Sequence, residues 1–146
     1  MKNLVCLRSL VIIVMALSLT LYVGAKGMPR LTIQTPTEGQ TIQPMPALGA
    51  VAIVKFSTDN FKIDSVDKGH GSITDMATQE HPDHGYVQVT VDDSPWFFIH
   101  SDNDPIVVSG LSPGKHAVKL QLVGPNYAAI GAAQTVNFII SSETGR

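Results

Sequence analysis

One short stretch of the chain spaces histidine and aspartate for cation binding. His81-Pro82-Asp83-His84 sets two imidazoles three positions apart with a carboxylate between them. His70, in Gly69-His70-Gly71, lies near enough along the chain to supply a third donor, and Asp75 or Glu80 a fourth. Imidazole and carboxylate donors of this kind suit zinc or copper. The same spacing arises in any exposed polar loop, so a solvated loop is the plainer reading of these residues. Asp92-Asp93 and Asp102-Asn103-Asp104 offer hard oxygen donors for calcium but lack the glycine-marked loop of a calcium hand. Asx-type turns beside Pro95 and Pro105 account for them without an ion.

Two further groups of residues bear on function. Trp96-Phe97-Phe98 cannot bury every ring in an extended segment, because Phe97 opposes its two neighbours. Burial of Trp96 and Phe98 beside the regular strands is the preferred reading. The alternative is an exposed surface of Trp96, Phe97, Phe98 and His100 that stacks on a glycan or anchors a protein partner. Gly110 to Val118, GLSPGKHAV, is a turn built on Pro113 and Gly114 that launches a strand. His116 shares the face of Val118 and Leu120, so it points inward, where many sandwich domains carry a hydrogen-bonding tyrosine. A neutral, satisfied structural imidazole is the expectation there.

Catalytic chemistry finds little support. Gly69-His70-Gly71-Ser72 is not a nucleophile elbow, which needs glycine on both sides of the serine and a strand-to-helix turn. The lone cysteine, Cys6, falls in the N-terminal segment. The expectation is a protein that is not an enzyme.

The elements that must position these residues are strands. In Gly85 to Leu122, strict alternation appears twice: Val87, Val89 and Val91 fall on one face, and Val118, Leu120 and Leu122 on another. Further strands are expected at Leu31–Thr35, in the apolar run from Gly49 to Phe56, at Asn60–Val66, in IVVS, and at Thr135–Ile140. The run from Gly49 reads as covered on both faces. QPMP, residues 43 to 46, belongs to an edge or a loop. Asp67 to His84 lacks period-two patterning, has room for one helical turn around Thr74 to Gln79, and is long for a loop in a compact domain. The fold class expected is all-β: an immunoglobulin-like antiparallel β-sandwich of about seven strands.

Lys2 and Arg8 precede an apolar run of about 14 residues, which is followed by Val23-Gly24-Ala25. That is the pattern of a secretory signal peptide over residues 1–25, leaving one domain over 26–146. Periplasmic or secreted localisation follows, with the uncleaved segment as a membrane anchor the alternative and the chain's sole contact with membrane. Roughly 120 residues suffice to bury a core without disulfides. Loss of the two cations Lys2 and Arg8 would take the formal charge from −2 to −4. A mildly acidic domain without a basic patch argues against nucleic acid as a partner.

VTVDDSPW, then PIVVSGLSPGKHAVKLQLV, and finally TVNFII resemble a family of short exported bacterial proteins of unknown function. The family pattern has a glycine and a His-x-His strand running into VTVDDAPW, then a Pro-Ile strand and GLPPGPHKV. The resemblance covers the C-terminal half of the domain and implies an exported β-sandwich, with no activity attached. Tyr86 and Gln88 stand where the pattern has His-x-His, and Phe97 and Tyr127 stand where it has two further histidines. The reading is therefore a binding or structural module of the cell envelope with an unidentified protein or glycan partner. The alternative is an envelope metal-binding protein using His70, His81 and His84, with zinc or copper as its cofactor.

Overall fold

A computed structural model describes residues 27–45, 49–65 and 83–142. These residues form nine strands: β1 (Arg30–Thr35), β2 (Gln40–Ile42), β3 (Val51–Asp59), β4 (Lys62–Ile63), β5 (His84–Val91), β6 (Phe97–His100), β7 (Ile106–Ser109), β8 (Gly114–Val123) and β9 (Ala129–Ile140). The smaller sheet has the order β1-β3-β7. The larger, a curled mixed half-barrel, runs β2-β9-β8-β5-β4, with β6 also paired to β5.

Alternation in the sequence becomes sidedness in the sheets. Val87 and Val89 of β5, Val118, Leu120 and Leu122 of β8, and Val136, Phe138 and Ile140 of β9 face inward. They meet Ala52 and Val54 of β3 and Ile106 and Val108 of β7, so the two sheets close on one hydrophobic core. β3 departs from the expectation of cover on both faces. Ala52 and Val54 are buried, whereas Ile53 is 47% exposed and Lys55 is exposed, so β3 has one wet face.

The all-β expectation is met, with nine strands among the described residues rather than about seven. The sheets are not purely antiparallel. β2 runs parallel to β9, and β4 runs parallel to β5. The first follows from the chain leaving the smaller sheet after β1 and entering the larger one at its β9 edge. Glu38 pins that crossing: its carboxylate accepts the backbone N–H of Asn137 and the Asn137 side-chain amide, at 3.0 and 2.9 Å. These bonds lower the Glu38 pKa. The strand expected over Asn60–Val66 contracts to β4, whose buried flank is Phe61 and Ile63. The N-terminal segment, Cys6, the stretch from Val66 to Pro82 and its candidate helical turn lie outside the described residues.

Candidate functional site

β6 is short because of what bounds it. Asp92 and Asp93 both adopt the left-handed conformation (φ 53° and 51°), one that aspartate tolerates better than most side chains. The turn is closed by Ser94 N–H donating to the Val91 carbonyl at 3.1 Å. Trp96 N–H then donates to Ser94 Oγ at 3.1 Å, which delivers the aromatic run to the edge of β5. At the other end, Asp102 Oδ1 accepts the Asp104 N–H at 2.8 Å, forming an Asx turn ahead of Pro105.

Phe97 pairs in register with Thr90, and Phe98 with Val89. Phe98 and His100 therefore lie on the inner side and Phe97 on the outer. The expected opposition of Phe97 to its neighbours is present, but preferential burial is not. Trp96 is 82% exposed, Phe97 56% and Phe98 45%. Among the described residues β6 pairs with β5 alone, so a ring at this edge is covered from one side only. His100 is a support for this surface and presents little of itself. Its Nε2–H points at the Asp104 carbonyl (2.9 Å) and at Asp102 Oδ1 (3.0 Å), and its ring meets Phe56 edge-on at 5.7 Å.

His116 stands at the start of β8, inside the molecule. Its Nδ1 lies 2.7 Å from Asp92 Oδ2 and its Nε2 2.7 Å from the Ser112 carbonyl oxygen. Both partners are acceptors, so both bonds are made together only when both nitrogens carry a proton, an arrangement that favours the imidazolium over the neutral ring expected from the sequence. Burial draws the His116 pKa down, but the Ser112 carbonyl and the Asp92 carboxylate outweigh it, and the net displacement is upward. Asp92 Oδ1 also accepts the Ala117 N–H at 2.9 Å, while Asp92 N–H donates to the Ala117 carbonyl. Pro113 and Gly114 form the exposed turn that brings Ser112 back over the ring. Beside this clamp lies an open groove of about 690 Å³, lined by Asp93, Lys115, Asn137 and Ile139 among others.

Of the metal candidates, His84 alone is described, and His70 and His81 lie outside the described residues. His84 Nδ1 meets Asp64 Oδ2 at 2.5 Å across the β4–β5 pair. Among the described residues no three His, Cys, Asp or Glu side chains gather to hold an ion. The calcium candidates Asp92 and Asp102 spend their oxygens on His116, the Ala117 N–H and the Asp104 N–H.

Sequence reasoning left one association unseen. Tyr86 and Tyr127 stack at 5.8 Å with their planes 21° apart, so two of the positions where the family pattern has histidine are in contact. Burial, then Tyr127 and Asp64, push the Tyr86 hydroxyl's pKa up. Gln88 follows Tyr86 on the outer face of β5, and Phe97 extends that face through Thr90. The pattern's histidine positions thus share one side of the sheet, a grouping that requires the β5–β6 and β5–β8 registers to see.

No curated protein and no solved structure matches this chain. The family likeness reaches further than the motifs of the C-terminal half, back through the Glu38 crossing to β1. Residues 30–145 match a family of unknown function, DUF6130, and the chain belongs to that family.

Proposed function

We propose that this is an exported, non-enzymatic binding module of the cell envelope whose contact surface is Trp96, Phe97 and Phe98. The observation that carries the reading is the exposure of three consecutive aromatic rings, Trp96 just before and Phe97 and Phe98 on an edge strand held at both ends by hydrogen-bonded turns. Soluble domains rarely leave such area to water unless something covers it. Rings fixed by a strand also lose little entropy when they bind. Export rests on the N-terminal pattern of residues 1–25, with the periplasm or the exterior as destination.

The finer fold reading is immunoglobulin-like. Support for it is that β1, β3 and β7 can be taken as strands A, B and E, and β5, β8 and β9 as C, F and G, with the parallel pairs β2–β9 and β4–β5 outside that scheme. His116 occupies the start of the F-equivalent strand, where such domains carry their corner tyrosine. Cross-strand amide contacts in solution that joined β7 to the larger sheet would overturn this reading.

Phe97→Ser combined with Trp96→Ser tests the binding surface. Both rings are exposed, so the thermal midpoint should move by no more than a few degrees, about the effect of surface substitutions. Capture on a glycan array and from envelope extract should be lost. An unchanged capture profile sinks the reading, and a collapsed fold would mean that the rings are core.

A second reading is favoured by one contact. Asp64 against His84 Nδ1 is the carboxylate–histidine arrangement that orients metal ligands elsewhere. On this reading His70, His81 and His84 hold zinc or copper. His81→Ala with His84→Ala should then strip metal from protein purified without chelator, leaving the sandwich folded. Unchanged metal content in that variant excludes these ligands.

A further inference from the structure

We infer that the β6 edge takes an extended, cationic segment of a partner protein as an added strand. The inference rests on the reading of Trp96–Phe98 as a contact surface and names the chemistry of what covers it. Three observations converge on this occupant.

The first is the open edge. Every second residue of an antiparallel strand turns its N–H and C=O away from its neighbour. Among the described residues β6 pairs with β5 alone, so half of its backbone groups are directed outward as a template. β6 is short, which limits such pairing, but within Phe97 to His100 there is no proline, lysine or bulge to block it. Pro95 and Pro105 lie outside the strand and confine the pairing window to its length.

The second is the side-chain pattern. Phe97 and Ile99 stand on the outer side, Phe98 and His100 on the inner, and Trp96 closes one end. An added strand would run alternate side chains beside these rings, which is how strand addition gains its specificity.

The third is charge. Asp93 precedes the rings and Asp102 and Asp104 follow them, while Asp92 is engaged by His116; no lysine or arginine occurs from Gly85 to Gly114, and the next residue, Lys115, lines the groove beside Asp93. The outer-face cation Lys119 is separated from β6 by β5, both being in register with Thr90. Carboxylates at both ends of an aromatic row complement lysine or arginine, and the ring faces add cation–π attraction. The same charges disfavour a second copy. Two β6 strands paired antiparallel about their centres would bring the Asp92–Asp93 turn of one toward the Asp102–Asp104 turn of the other. A neutral glycan would stack on the rings and donate its hydroxyls to the carboxylates, but it would leave the backbone edge unpaired.

Trp96 is the chain's one tryptophan, so its emission reports occupancy at this edge directly. The full chain is titrated with a synthetic peptide of alternating lysine and valine, with its glutamate counterpart, with the lysine peptide N-methylated at alternate backbone positions, and with a neutral oligosaccharide. The lysine peptide should change Trp96 emission, with an affinity that falls as salt rises. The glutamate and N-methylated peptides should not. Asp93→Asn with Asp104→Asn should weaken the lysine peptide roughly fivefold, the effect of two exposed charges, and Phe97→Ser should weaken it further. Equal response to lysine and glutamate peptides, or to the N-methylated peptide, overturns the inference. Response to the oligosaccharide alone overturns it while leaving the binding surface in place. Silence toward all four overturns it too, and the capture experiment on the Trp96 and Phe97 variant then decides whether the surface reading falls with it.

Discussion

A histidine whose two ring nitrogens both face acceptors, as those of His116 face Asp92 and the Ser112 carbonyl, must keep both protons to keep both bonds. Its pKa lies above the ordinary 6.5, with burial opposing and the two acceptors prevailing. The sign of the linkage follows. A raised folded-state value contributes stability that is fully present below about pH 6.5 and is lost as pH rises through the folded-state value. The thermal midpoint should therefore decline on the alkaline side of that point. His116→Gln should lower the midpoint at pH 6 by the equivalent of about 1–3 kcal/mol, the cost of unmaking buried, charge-assisted bonds, and should flatten the decline. Asp92→Asn keeps a residue that tolerates the left-handed turn but removes the charge, so it should flatten the same profile. Thermal melts from pH 5 to 9 read both variants, and a slope unchanged in each would show that another group titrates. The inward direction of His116 was legible from its alternation with Val118 and Leu120. Its carboxylate partner was not, because Asp92 is 24 positions away and meets it only through the β5–β8 register.

Strand by strand, legibility tracked the length of the period. β5, β8 and the second half of β9 alternate and could be read directly, whereas the first half of β9, from Ala129 to Gln134, carries small residues with no marked apolar period and was not expected as strand. β2 and β4, three and two residues long, are too short for a period of two to register, and both pair in parallel with distant partners. β3 misled because its apolar run carries Ile53 opposite Val107 on the outer face, where both remain exposed. One glycine marks how closely these elements approach. At Gly85 the backbone has φ 150°, and a Cβ there would lie 2.1 Å from the Val123 carbonyl oxygen. The obstacle is main chain, so it cannot swing aside. Gly85→Ala should cost on the order of 1–3 kcal/mol through strain and overpacking. It should also separate the start of β5 from the β8 end, raising hydrogen exchange at Asp64 N–H, which bonds the Gly85 carbonyl at 2.7 Å. Wild-type stability and exchange in that variant would mean that the two strands are not so closely apposed in solution.

At the scale of the whole molecule, the two sheets have no separate interiors. Phe138 and Leu120 of the larger sheet belong to the same cluster as Val54 and Ile106 of the smaller, and all four are almost wholly buried. The inner face of β1-β3-β7, with Ala52, Val54, Ile106 and Val108, is buried in the cluster it shares with the larger sheet, so the smaller sheet depends on this contact. Unfolding should accordingly be a single cooperative step in which neither sheet outlasts the other. Phe138→Ala removes the largest fully buried side chain and should cost about 3–5 kcal/mol, lowering the midpoint by on the order of 10 °C or more. The β3 amides should lose exchange protection together with those of β8 and β9, although Phe138 belongs to the other sheet. Protection retained in β3 while β9 opens would contradict a shared core. The edge rings stand apart from this economy: Trp96 and Phe97 are excluded from the core cluster, so their removal should leave the cooperative transition almost where it was. The contrast between a core that cannot lose one ring and an edge that can lose two separates what the chain needs to fold from the surface we propose for a partner.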